Sequence, residues 1–253
     1  LRVHLSVDSP LQYHALLFVP TERPYDLFHP ESARGPRLYA KRILIEEHAK
    51  ELLPDWLRFV RGVVDSEDIQ LNVSREMVQK TPIVRKIREG LVKRILKELT
   101  KEATAFAGED GEDSSWADIW RAFGVCLKEG YYHESFAWGD KLRPLLHFNA
   151  LSHDDADGLI SLSQYKEAMP EGQDTIWFLT AESREAALAS PHLEAVRAKG
   201  WDVLLLTDTV DEWLVQALNE FDGTAVKSIS RGDLAIDEKE DADEGASLLG
   251  LGP

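Results

Sequence analysis

One cysteine, Cys126, in 253 residues excludes an internal disulfide framework and fits a reducing cytosol. It also excludes a multi-cysteine zinc site. The chain has no Gly-x-x-x-x-Gly-Lys-Ser/Thr loop and no Gly-x-Gly-x-x-Gly after a strand, so the common nucleotide fingerprints are missing. No apolar run approaches the length of a membrane-spanning helix. Positive charge is scarce: 29 Lys and Arg stand against 45 Asp and Glu, a net −16. A global attraction to nucleic acid or anionic membranes is therefore not expected. What is present, 43% apolar residues, is enough for real cores in one large or two modest domains. The chain begins at Leu1 in a strand pattern, as a piece cut from a longer protein would.

Val3, Leu5 and Val7 alternate with polar residues, and YHALLFV (13–19) reads as a more buried strand. A Pro/Gly-rich excursion follows, carrying Tyr25, Leu27 and Phe28 as exposed-looking apolar residues. LYAKRILI (38–45) and VRGVVDS (60–66) read as strands, with a short helix at PDWLRFV between them. The clearest helix starts at Thr81, a capping residue, with Pro82 in the first turn. Ile83, Ile87, Leu91, Ile95 and Leu99 then recur every four residues. GEDGEDSS (108–115) is a polar break, and WADIWRAFGVCLKEG an amphipathic helix.

From about residue 159 helices and apolar strands alternate, with one helix after TIWFLT running through Arg197 to a stop at Gly200, which predicts a small parallel sheet with helices on both faces. The predicted fold class is thus α/β, with two layered α/β/α-type units joined by a helical connector. The boundaries are 1–107, a connector 108–150, a smaller unit 151–230, and an acidic tail 231–253 expected to be disordered. That tail holds seven acidic residues and one lysine between Asp233 and Glu244.

Most candidate motifs have a plain structural reading. SHDDADG (152–158) lacks the spacing and closing glutamate of a calcium loop, so no metal site is expected. Cys126 on an apolar helix face and His147 near an apolar turn both read as core residues. The segment LNVSREMVQK (71–80) differs. From Asn72 to Lys101 nine Lys or Arg face three Glu. A solvated helix face accounts for such a run by itself. Yet Asn72, Ser74, Arg75 and Gln79 also stand before a helix start, where free N–H groups and the dipole favour anions. Arg75 is placed either to bind a phosphate through its two-pronged guanidinium or to pair with a carboxylate such as Asp65 or Asp68.

LYAKRILI followed by LLPDWLRFVRGVVDSEDIQLNVSREMVQ closely resembles the middle domain of the ninety-kilodalton heat-shock protein (Hsp90) chaperones. HALLFVPTERPYDLF is similar to that family's first strand pair and amphipathic loop. IWRAFGVCLKEG and LTDTVDEWLVQALNEFDG look like its bacterial HtpG branch. The resemblance runs from about residue 1 to 229. It implies a cytoplasmic, dimeric ATPase of three parts, with this domain docking on an N-terminal ATP-binding domain and a C-terminal domain supplying dimerisation. Arg75 would contact the γ-phosphate of ATP bound there with magnesium, and Asn72 and Gln79 would shape that loop. This fragment alone is expected to hold no cofactor and to be inactive.

The resemblance also implies contact with unfolded or partly folded client proteins through Glu212, Trp213, Gln216 and Asp222. Trp213 packed on the sheet is the structural alternative. Tyr25, Leu27 and Phe28 form a second candidate client patch, which Pro24 and the following polar run would hold off the core, against plain loop packing. A competing function class is a nucleic-acid-binding or scaffold protein using the basic helix 82–101. The net charge and the lack of interleaved exposed aromatics oppose it. A small-molecule enzyme in the parallel-sheet half lacks a catalytic constellation.

Overall fold

Period-two alternation builds the first sheet. In the computed structural model the described residues are 1–30, 32–70, 81–108, 114–153 and 158–231. Strands β1 (Arg2–Val7), β2 (Tyr13–Phe18), β3 (Arg37–Ala40), β4 (Ile43–Glu46) and β5 (Arg61–Ser66) form a sheet of order β1-β2-β5-β3-β4. All neighbours are antiparallel except β3 and β5. Tyr13, Ala15 and Leu17 of β2 face the core with Leu38, Ala40 and Val64, while the alternate residues turn outward.

Helix α1 (Pro82–Ala107) starts as its capping chemistry predicts: Thr81 Oγ1 accepts from Val84 N at 3.4 Å, with Pro82 in the first turn. Its buried stripe holds Val84, Ile87, Leu91, Val92, Ile95, Leu96, Leu99 and Ala103; Ile83 is only half buried. Each fully buried Leu or Ile contributes about 1.5–3 kcal/mol. The partly buried Arg94–Glu98 pair at 2.9 Å, four residues apart on the helix, adds a few tenths. The helix lies close to the sheet: a Cβ on Gly90 would stand 2.3 Å from the Tyr13 hydroxyl oxygen.

PDWLRFV forms only a 3-10 turn, Asp55–Leu57, that carries Phe59 and Val60 inward. Helix α2 (Trp116–Leu142) packs there, with Phe123 stacked on Phe59 at 4.4 Å and 13°. The helical stretch expected to be a connector therefore belongs to the first unit, which spans 1–146. Aromatic packing on the turn outweighs the polar break before it. The helix bends at Glu134 (φ −127°, ψ 26°), where Arg88 reaches the carboxylate at 3.6 Å.

The second unit begins at His147. Its six strands are β6 (His147–Ala150), β7 (Leu159–Ser161), β8 (Thr175–Thr180), β9 (Leu204–Leu206), β10 (Glu220–Phe221) and β11 (Thr224–Ser228), in the order β10-β11-β8-β9-β6-β7. The sheet is mixed, and the predicted parallel pairing is confined to β11-β8-β9. The β6–β7 and β10–β11 pairs add antiparallel edges. The four-residue β6 lies inside the stretch read as helical, and β10 has only two residues, too short for a periodic signal.

Helices α3 (Leu162–Ala168), α4 (Arg184–Leu188), α5 (Leu193–Lys199) and α6 (Asp211–Ala217) complete this unit. The single helix expected to run through Arg197 is two, divided at Ser190 and Pro191, because proline disfavours a helical residue before it. Gly200 ends α5 in the left-handed region (φ 69°), as anticipated. Trp177, Leu179 and Leu205 pack under α4 and α5 with Ala187, Leu193 and Val196. Tyr165 locks α3 to the sheet: its hydroxyl donates to Asp202 O and accepts from Gln173 Nε2 (2.8 Å) and Trp177 N (3.2 Å). Burial pushes its ionisation well above the usual tyrosine range. Among the described residues no helix is long and apolar enough to cross a membrane.

Candidate functional site

Two surfaces carry the sequence-predicted site residues in the described structure, one in each unit. In the second unit, α6 begins where Asp211, itself buried, accepts from Asp208 N at 2.9 Å. That bond and buried Leu214 fix the helix's rotation. Trp213 is then left 51% exposed, with Glu212 and Gln216 also exposed. Gln216 Nε2 donates to the main-chain carbonyl of Glu212 at 3.1 Å, which folds the Gln216 side chain back along the helix. Trp213 is thus not absorbed into the sheet.

Asp222 sits elsewhere in this unit, in the turn between β10 and β11, with a positive φ of 53° that Asp tolerates. Lys166 of α3 donates to its carbonyl at 2.6 Å. The structure therefore places three of the four proposed residues on one short helix and the fourth on a hairpin turn.

In the first unit the excursion after β2 splits its apolar residues. Leu27 is 1% exposed, a correction to the expectation that it joins a surface patch. Pro24 does not hold this loop off the core; its carbonyl accepts from Leu27 N at 3.1 Å, and that turn directs Leu27 inward. Phe28 is 46% exposed and Tyr25 fully so. Phe28 lies with its ring centroid 5.0 Å from the Arg58 guanidinium and 5.8 Å from that of Arg23. Arg58 in turn grips Glu129 through two bonds, 2.6 and 3.0 Å. Nothing local in the sequence signals Arg58 as the support for Phe28, since its carboxylate partner lies 71 residues away.

Arg75, Asn72 and Gln79 lie outside the described residues. Both approaches to their segment are within them. At the β5 end, Ser66 Oγ donates to Gln12 O at 3.2 Å, and Asp68 Oδ2 accepts from Gln12 N at 2.6 Å. At the other end stands the capped first turn of α1. The two carboxylates weighed as structural partners for Arg75 are each engaged by a main-chain N–H, Asp65 by that of Arg42 at 3.1 Å and Asp68 by that of Gln12. On α1 itself, Glu98 pairs with both Arg94 and Lys101. That pairing reduces the basic face on which a nucleic-acid role would depend.

Cys126 is buried, and its thiol is pushed up to about 12 by desolvation. His147 is buried in β6. Among the described residues no group of three or more His, Cys, Asp or Glu side chains is arranged to hold a metal. The tail beyond 231 and residues 154–157 of the SHDDADG stretch lie outside the described residues.

Residues 1–248 match the family model described as Hsp90 protein. The chain belongs to the Hsp90 family. It is 44% identical over 242 residues to the chaperone protein HtpG of Geobacter sulfurreducens, covering 96% of this chain and 36% of that protein. To the HtpG of Aromatoleum aromaticum it is 45% identical over 241 residues, 95% of this chain and 37% of the relative. The chain thus spans little more than a third of the length of the curated relatives it matches.

Its fold is similar to the middle domain of a Plasmodium falciparum heat shock protein, with a TM-score of 0.74 and 27% identity over 90% of this chain and 87% of that one. Within the Hsp90 family the chain is the middle domain, of the bacterial HtpG branch. The α/β layered fold expected from the sequence agrees with that neighbour.

Proposed function

We propose that this Hsp90 middle domain serves a longer, ATP-dependent cytoplasmic chaperone in two ways. It binds partly folded client proteins, and it supplies Arg75 to ATP held by an N-terminal domain of the same protein. Asn72 and Gln79 shape the Arg75 segment, and dimerisation belongs to a further C-terminal domain. Magnesium and ATP are bound by the longer protein; this chain alone hydrolyses nothing.

The observation that carries the reading is family membership over 1–248. Physical chemistry makes the arginine role reasonable. Phosphoryl transfer needs preorganised positive charge on the γ-phosphate oxygens, and an arginine in that position elsewhere accelerates hydrolysis by roughly 10³ to 10⁵. The Arg75 segment precedes a 26-residue helix whose first N–H groups favour an anion. Half-exposed Trp213, flanked by exposed Glu212, offers clients an apolar contact beside a solubilising charge. Asp222 on the β10–β11 turn of the same unit and Phe28 in the first unit are secondary contact points.

The test is to add this chain to the isolated ATP-binding domain of its parent and measure ATP turnover. A rise that disappears with Arg75→Ala supports the reading, and no rise at saturating concentration removes it.

A further inference from the structure

The chain leaves β8 toward β9 on one side, by way of α4 and α5. It leaves β9 by way of α6 and reaches β11, which lies on the other side of β8. Right-handed crossovers then put the two sets of helices on opposite faces of the sheet. The segments that follow β8 and β9 diverge, and a crevice opens beyond the C-terminal ends of these parallel strands. Such a switch point is where open α/β sheets bind ligands.

The crevice here has a volume of about 430 Å³. Thr180 lines it from the end of β8 and Glu182 from beyond that strand, Thr207, Asp208 and Thr209 from beyond β9, and Glu212 from α6. None of the described residues lining it is basic. Arg184, the nearest arginine along the chain, donates instead to His153 O at 2.5 Å. The carboxylates are not gathered as a metal ion requires, since no group among the described residues is arranged to hold one. The lining therefore suits an extended organic cation, with hydroxyl oxygens to accept the hydrogen bonds its charge does not direct to a carboxylate.

We infer that this crevice is a subsite for a lysine or arginine side chain of the client segment whose apolar neighbour rests on Trp213. The inference depends on the client-binding reading of α6. Glu212 and Trp213 are consecutive: Glu212 lines the crevice, while Trp213 stays half exposed beside it. A segment laying an apolar residue on Trp213 brings the adjoining basic side chain to the crevice. The recognised client is thus basic and apolar together, rather than apolar alone.

Two fluorescein-labelled peptides of one apolar sequence, differing only in lysine against norleucine beside a tryptophan, test this by anisotropy titration at low salt. The wild-type chain is expected to bind the lysine peptide about five-fold more tightly, the scale of a partly exposed ion pair. The double variant Glu182→Gln/Asp208→Asn, with an unchanged melting curve, removes two of the carboxylates lining the crevice and should lose that preference while keeping its affinity for the norleucine peptide. Trp213→Ala should weaken both peptides. Equal wild-type affinities, or a preference that survives the double variant, would overturn the subsite while Trp213→Ala still reports on client binding. Indifference of both peptides to Trp213→Ala, or no binding of either, would remove the client reading and the subsite with it.

Discussion

Arg58 holds Glu129 in a two-point clamp, Nη1 to Oε2 at 2.6 Å and Nη2 to Oε1 at 3.0 Å, with the Phe28 ring set against its guanidinium. Arg58 is 8% exposed and Glu129 27%. Removing the carboxylate strands a desolvated cation, which costs more than the intact pair contributes. Glu129→Ala is expected to lower stability by about 3 kcal/mol in urea unfolding. It should also increase proteolysis of the loop around Phe28. A loss under 1 kcal/mol would mean that the pair is effectively solvated.

Gly130, the next residue on α2, tests packing against propensity. Alanine is favoured over glycine inside a helix by about 1 kcal/mol. Here its Cβ would lie 2.7 Å from the ring of Trp56, which is buried and has little room to yield. Gly130→Ala is expected to destabilise by a net of up to about 2 kcal/mol, the cost of overpacking less that gain. A stabilised variant in the same denaturation experiment would show that the ring can move.

Cys126 should resist iodoacetamide in the folded chain at pH 8 and react once the chain is unfolded, because its thiol is pushed up to about 12. Linkage gives the accompanying pH dependence. A raised folded pKa favours the neutral thiol, so the stabilisation is complete below the unfolded value near 9 and is lost as pH rises towards 12. Buried Tyr13 and Tyr165, both raised by desolvation, act in the same direction at higher pH. Stability should be level up to about pH 9 and fall from there to pH 11, and a profile flat throughout would contradict the burial of these groups.

Trp213→Ala should weaken client binding about ten-fold, the scale of a lost aromatic contact. Its effect on the melting temperature should be small, since half of that side chain is already in water. Binding by an unfolded model client and a thermal melt together distinguish a contact residue from a packing residue. A large loss of stability with unchanged binding would assign Trp213 to the core.

The parts of this fold that were legible in sequence are those with local causes. Thr81 and Pro82 announce the start of α1 because capping and φ restriction act within one turn. Gly200 announces the end of α5 for the same reason. Leu27 was misread as exposed because its burial depends on a turn that reorients a proline-rich loop. The second sheet was read as parallel because β6 and β10 are too short to show alternation, and their partners are set by tertiary pairing. The Arg58–Glu129 clamp, spanning 71 residues, has no local signature at all. Of the candidate site, the exposed face of α6 follows from helical spacing around buried Leu214. The crevice beside it needed the order of strands in the sheet.

The central claim is that Arg75 acts on ATP bound by another domain, and Arg75→Ala in the full-length parent tests it most directly. ATP turnover should fall by about 10³-fold or more, in line with other arginines that contact a transferring phosphoryl group, while the dissociation constant for ATP stays within about two-fold. Unchanged turnover, or equal losses of turnover and of nucleotide affinity, would contradict the account.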